Sequence, residues 1–200
     1  MYERESKFAK TEMLLKVELF YNLSKEIKTQ VNRLLDDCFG AESGLTSQQL
    51  DIQKDKFFSI PIAYLLAIEN NLVIGVIKLY KREISYLEEK IILGGFGGVC
   101  TAKNKRRRGV ATALLKRGMR ELKSESCDIA YLCTDVDDPG VLTIYSQVGF
   151  TSLNKPHTYL GKSGKRYMEK DGLIAPVKSK DKYNFVMEGK EIFNIGTGNW

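Results

Sequence analysis

The chain has 200 residues, 43% of them hydrophobic, and 31 Lys plus Arg against 25 Asp plus Glu give a formal charge of +6. That length and apolar content suffice for one domain with a real core and exclude a disordered chain; the positive balance favours anionic partners without choosing among nucleic acid, acidic lipid and a phosphorylated ligand. A single histidine, four cysteines without Cys-x-x-Cys spacing, and no apolar run near the ~18 to 20 residues of a membrane span exclude His-Glu-x-x-His metal chemistry and argue against structural zinc or a membrane partner.

The elements follow in order. "MLLKVELF" (13–20) reads as a strand, and "SKEIKTQVNRLLDDCFG" as a helix capped by Ser24, apolar on Ile27, Val31, Leu34, Leu35 and Cys38, and closed by Gly40. A shorter helix is expected after Ser47. "IPIAYLLAIENNLVIGVIKLY" predicts two strands joined at Asn70-Asn71, a dipeptide that tolerates the left-handed backbone of tight hairpins. "KIILGGFGGVCT" is a further strand. Ala111, Leu114, Leu115, Gly118 and Leu122 then recur at helical spacing, so a helix runs from Gly109 to about residue 123. "DIAYLCT" is a buried strand, and Asp138 and Pro139 cap and start a short helix ending near Gly149. Beyond Phe150, "HTYL", "GLIAPV" and "YNFVM" read as short strands that complete the sheet. The order predicts an α/β (α+β) fold, a mixed sheet with helices on both faces, with 1–200 as a single domain.

Chemistry concentrates in one stretch. Gly94, Gly95, Gly97 and Gly98 weaken a strand unless it is bulged or something lies against its backbone. A turn with five cations between Lys103 and Arg108 follows, then a helix opening on small residues. A helix N-terminus offers unpaired N–H groups and partial positive charge, so strand, turn and helix describe a pyrophosphate cradle.

Arg106-x-x-Gly109-x-Ala111 in this context resembles the signature of the GCN5-related N-acetyltransferases (GNAT), and "LTIYSQVGF" is similar to the family's Leu-Tyr-x-x-x-Gly-Phe helix. The resemblance implies a mostly antiparallel GNAT-like sheet and acetyl-CoA as co-substrate, with no metal. It implies that Arg106, Arg107, Arg108, Gly109, Val110, Ala111 and Thr112 bind the pyrophosphate, that the backbone of Val99, Cys100 and Thr101 pairs with the pantetheine arm, and that Tyr145 is the general acid. Asp138 stands where the family often has Asn. A strand cysteine without a motif histidine is read as backbone support, so Cys100 is not proposed as a nucleophile.

The tail "FNIGTGNW" ends on the chain's single tryptophan. Together with "GFTSLNKPHTYL", "KDGLIAPV" and Gly97-Gly98, it resembles the aminoglycoside 2′-N-acetyltransferase branch. That resemblance implies Glu42, Asp135 and the Trp200 carboxylate as amine-facing groups, Gly97 and Gly98 as acceptor-side residues, and residues 151–200 as part of the acceptor site. Trp200 that merely packs the terminus is the alternative. The expected activity is acetyl transfer to a primary amine of a small molecule, aminoglycoside-like in this branch, in a cytoplasmic protein with free thiols; formation of a homodimer stays open. The competing reading is a non-catalytic phosphate or nucleic-acid module using Lys103 to Arg108, and the helix and second motif disfavour nucleic acid.

Overall fold

The computed structural model describes residues 15–40, 47–134 and 137–200. Strand β1 (Lys16–Phe20) leads into helix α1 (Lys25–Phe39) and helix α2 (Ser47–Lys56). Strands β2 (Ala63–Glu69), β3 (Leu72–Tyr86) and β4 (Glu89–Thr101) form a meander, followed by α3 (Val110–Ser124), β5 (Ile129–Cys133) and α4 (Pro139–Ser146). The remainder is β6 (Thr151–Ser152), β7 (His157–Leu160), β8 (Arg166–Glu169), β9 (Gly172–Pro176), α5 (Lys180–Glu188) and β10 (Phe193–Thr197).

A seven-stranded sheet runs in the order β1-β2-β3-β4-β5-β9-β6, antiparallel except between β4 and β5. This is the mixed, mostly antiparallel sheet expected. The predicted caps form: Ser24 Oγ accepts from the Ile27 N–H at 3.3 Å, and an Asp138 carboxylate oxygen accepts from the Gly140 N–H at 2.8 Å. The Asn70-Asn71 hairpin has φ of 51° and 63°, the left-handed pair that a two-residue loop needs.

Three expectations are corrected. β3 does not stop at Tyr80 but continues through "KREISY" to a second hairpin at Leu87-Glu88, because Ile84 and Tyr86 keep the inward alternation while Lys81, Glu83 and Ser85 face out. "YNFVM" is not a strand. It belongs to α5, where Ser179 caps the Lys182 N–H and the buried residues, Tyr183 and Val186, are three apart. The C-terminal pieces also divide: β6 and β9 complete the main sheet, whereas β10, β7 and β8 form a second, three-stranded sheet.

The main sheet is covered on both faces, as predicted. On one, Leu114, Leu115 and Leu122 of α3 pack against Leu65, Ala67, Ile77, Leu79 and Phe96. On the other, Val31 and Leu34 of α1 cover Leu66, Val76 and Cys100. The same alternation carries Tyr80, Ile84 and Tyr86 to that second face, where the small sheet and α5 cover them through Tyr159, Phe193, Ile195, Tyr183 and Val186. The second face is thus divided between α1 and the C-terminal layer, and the candidate site lies where the two covers meet.

Candidate functional site

β4 pairs with β5 only from Leu93 to Gly95, opposite Ile129 to Tyr131. Beyond that point the strands diverge, and among the described residues Phe96 to Thr101 pair with no strand on the β5 side. A register shift between the Val76–Cys100 and Lys78–Gly97 pairs marks a bulge, where Gly98 takes φ of 57°. Val99, Cys100 and Thr101 all lie in this stretch, where the Thr101 carbonyl is met by the Arg106 and Cys38 side chains. The Cys100 thiol is turned onto α1, 3.9 Å from the Leu34 carbonyl oxygen, and burial holds it neutral by raising its pKa well above the usual thiol range.

The turn after β4 brings the chain back to the mouth of this divergence. Gly109 sits at φ of 76°, with nothing within 4 Å of where a Cβ would be, and α3 begins without a side-chain cap. The first N–H groups of α3 have no side-chain cap among the described residues. Arg106 donates from Nε to the Thr101 carbonyl oxygen at 3.3 Å, and Arg107 has φ of 59°. The basic run is not wholly free charge. Glu69, itself buried, pairs with Lys105 and, at 3.0 Å, with Arg108, and these partners hold its carboxyl below the ordinary carboxylate range. Arg108, expected among the pyrophosphate ligands, is therefore tied to Glu69, while Arg106 and Arg107 are exposed.

Tyr145 is buried on α4, edge-on to Phe150 at 6.1 Å. Burial, opposed by a hydrogen bond from Thr134, pushes its pKa up to about 12. Thr134 directly follows β5, which puts the phenol at the carboxyl end of β5, where β4 has parted from it. A Thr112–Gln147 side-chain bond of 3.5 Å joins α4 to the start of α3.

Trp200 occupies the opposite side of the divergence. Its indole fills the gap left by Gly95 between two tyrosines on neighbouring strands. It stacks on Tyr80 at 5.2 Å with 9° between planes, and meets Tyr131 at 6.1 Å and 66°. The indole N–H donates to the Tyr131 carbonyl oxygen at 3.4 Å. Arg82 lies 3.7 Å over the ring and donates to the carbonyls of Ile195 and Gly198. Burial lowers the Arg82 pKa to about 10, so it remains charged at neutral pH. The Trp200 backbone carbonyl carbon lies above Gly97, 2.8 Å from an ideal Cβ there. What lies against Gly95 and Gly97 is thus Trp200 of the same chain. Gly97, Gly98 and Trp200 come together; Glu42 and Asp135 lie outside the described residues.

Sequence reasoning missed several residues here. Lys78, directly across from Gly97, sends its aliphatic stem over Gly98 and is half-buried. Burial lowers its pKa. Its signal was a lone charge in the otherwise apolar "VIGVIKLY". A buried polar cluster lies nearby: Tyr131 Oη is 2.7 Å from His157 Nε2 and 3.5 Å from Asn199 Oδ1. No spacing in the sequence joins these three. Among the described residues no group of side chains is arranged to hold a metal ion, and no helix is long and apolar enough to cross a membrane.

A free strand edge beside an uncapped helix start fits an elongated ligand with an amide-bearing arm and a phosphate end, which is the shape of coenzyme A. Residues 21–152 match the family model described as "Acetyltransferase (GNAT) domain". The chain belongs to the GNAT acetyltransferase family. Its fold is also similar to a GCN5-related N-acetyltransferase from Kribbella flavida (TM-score 0.51, 15% identity, 72% of this chain and 35% of that one). A second likeness is to the NatC complex bound to Gag peptide and CoA (0.52, 17%, 80% and 98%). A third is to the aminoglycoside acetyltransferase meta-AAC0020 from an uncultured soil metagenomic sample, in complex with trehalose (0.51, 18%, 67% and 86%). The chain thus spans about a third of the length of the Kribbella protein. No curated protein matches it.

Proposed function

We propose that the chain transfers an acetyl group from acetyl-CoA to a primary amine of a small molecule by direct attack. The observation that carries this reading is the free edge of β4 leading to the uncapped, glycine-led start of α3. Acetyl-CoA supplies the activated thioester. The N–H groups of Val110, Ala111 and Thr112 hold its pyrophosphate with help from Arg106 and Arg107, and the backbone of Val99 to Thr101 aligns the pantetheine arm and donates to the oxyanion. Tyr145 holds a proton for the departing thiolate. With its pKa near 12 against ~8.5 for a thiol, a full transfer is uphill by about 5 kcal/mol, so the proton moves in concert with bond cleavage. Trp200, over Gly97, lies on the amine side, and water there accepts the amine's proton. Residues 151–200 supply the acceptor side of the same domain, and four free thiols suit a reducing, cytoplasmic setting.

Acetyl-CoA is expected to raise the melting temperature, and a panel of amines, polyamines, aminoglycosides and peptides to release free CoA thiol. Without stabilisation by acetyl-CoA the reading is withdrawn in favour of phosphate or nucleic-acid binding through Lys103 to Arg108. That binding would weaken steeply with salt and ignore Tyr145.

A further inference from the structure

Among the described residues Glu69 is the one buried carboxylate, 5% exposed, and the proposed mechanism gives it no part. Burying a charge is costly unless it is paired, and Glu69 is paired twice. Its Oε2 accepts from Lys105 Nζ, and its Oε1 from Arg108 Nη2 at 3.0 Å. Glu69 ends β2 and pairs with Leu72 of β3 across the Asn70-Asn71 hairpin, so the carboxylate belongs to the frame of the sheet while both its partners belong to the loop between β4 and α3.

The two cations bracket Arg106 and Arg107. The Ala102 N–H donates to the Ile74 carbonyl oxygen at 2.9 Å, which fixes the start of the loop on β3. A single 3-10 turn, Lys103–Lys105, follows, and then Arg107 takes φ of 59° and Gly109 φ of 76° before α3 begins. A left-handed glycine is unstrained, but a left-handed arginine is penalised and persists only where its surroundings fix it. One carboxylate that grips the chain on both sides of Arg107 supplies that constraint.

Charge alone gives the opposite expectation. Beside a site for an anion, a carboxylate repels the ligand and occupies two cations that would attract it. If Glu69 served charge balance only, its removal would tighten acetyl-CoA binding.

We propose that Glu69 is a positioning residue for acetyl-CoA: by clamping Lys105 and Arg108 it fixes the left-handed turn at Arg107 and Gly109 that aims the first N–H groups of α3 at the pyrophosphate. The inference rests on the acetyltransferase reading and deepens it. Lys105 and Arg108 act as tethers of the loop, and Arg106 and Arg107 between them meet the ligand.

The test measures acetyl-CoA binding to the native chain and its variants by calorimetry over a series of salt concentrations. Glu69→Gln, which keeps the shape and removes a negative charge, is expected to weaken binding about tenfold, and Glu69→Asp, which keeps the charge and shortens the arm, about threefold or more. The slope of affinity against salt stays that of the native protein, because the cations that meet the phosphates are the same. Glycine at 107 carries no left-handed penalty, so in an Arg107→Gly background the Glu69→Gln change should cost less than about threefold. This double-mutant cycle cancels the loss of the Arg107 charge and separates positioning from a general loosening of the fold, which would cost the same in both backgrounds. Should Glu69→Gln fail to fold, Glu69→Asp with and without Arg107→Gly still decides. Equal or tighter binding in either Glu69 variant, or a steeper salt slope in Glu69→Gln, assigns Glu69 to charge balance and overturns the inference alone. A loss of binding that Arg107→Gly leaves undiminished also overturns it. Failure of the native chain to bind acetyl-CoA overturns the acetyltransferase reading, and this inference with it.

Discussion

At Gly95 one missing Cβ admits an indole. An alanine there would overlap the Trp200 ring, which is wedged between Tyr80 and Tyr131 and covered by Arg82. Gly95→Ala should therefore cost about 1–3 kcal/mol and expel the indole. Trp200 is the single tryptophan, so the expulsion is read directly as a red shift of emission. An unshifted spectrum would mean that the slot adapts. Tyr145 belongs to the same scale. The phenol is already buried against Phe150, so Tyr145→Phe keeps the packing and removes only the hydroxyl. We expect kcat to fall about 10²-fold with acetyl-CoA affinity within about twofold. Unchanged turnover would remove Tyr145 from proton transfer.

The start of α3 depends on one backbone conformation. Gly109 has φ of 76° and open space where a Cβ would stand, so Gly109→Ala brings no clash, only the left-handed penalty of about 1–2 kcal/mol. If the helix start relaxes to escape that strain, its N–H groups turn from the ligand. Calorimetry should show acetyl-CoA binding weakened about tenfold, and equal affinity would place the phosphate elsewhere. This part of the site was legible because Gly109, the small residues after it and the cations before it are contiguous in sequence. The acceptor side was only partly legible. Trp200 stood out by its position, but the reason for Gly95 and Gly97 in β4 required knowing that residue 200 returns to them. Lys78 was hidden because only strand pairing puts it opposite Gly97. "YNFVM" is too short and too evenly apolar to separate period 2 from period 3.6; its cap, Ser179, was the available signal. The reach of β3 past Tyr80 was written in the alternation of "KREISY", where charged residues on the outward positions masked an inward Ile84 and Tyr86.

The C-terminal layer is joined to the main sheet by buried polar contacts as well as by apolar packing, and this makes the whole molecule sensitive to acid. His157 is fully buried on β7, with Nε2 against Tyr131 of β5 and Nδ1 without a hydrogen-bond partner among the described residues, and Tyr131 in turn reaches Asn199 beside Trp200. Nearby, Glu169 of β8 accepts from Tyr159 at 2.9 Å and pairs with Lys56 of α2 at 2.8 Å, which ties α2 to the same layer. Burial lowers the His157 pKa to about 4, against the weaker opposing pull of Glu169. Between pH 6.5 and 4 the unfolded histidine is protonated and the folded one is not, so unfolding takes up a proton and stability falls as the pH falls. The fall from 6.5 to about 4 sets the loss across that window at about 3 kcal/mol at most. Carboxylates held below their usual range, Glu69 and Glu169 among them, add their own losses only lower down, so the interval from about pH 6.5 to 5 isolates the histidine. Melting curves over that interval should slope for the native protein and flatten for His157→Asn. Because Tyr131 joins the histidine to Asn199 and Trp200, the tryptophan emission should shift before the helical signal of α1 and α3 is lost. A slope that survives the substitution would assign the acid sensitivity to another group, and simultaneous loss of both signals would mean that the C-terminal layer and the main sheet unfold as one unit.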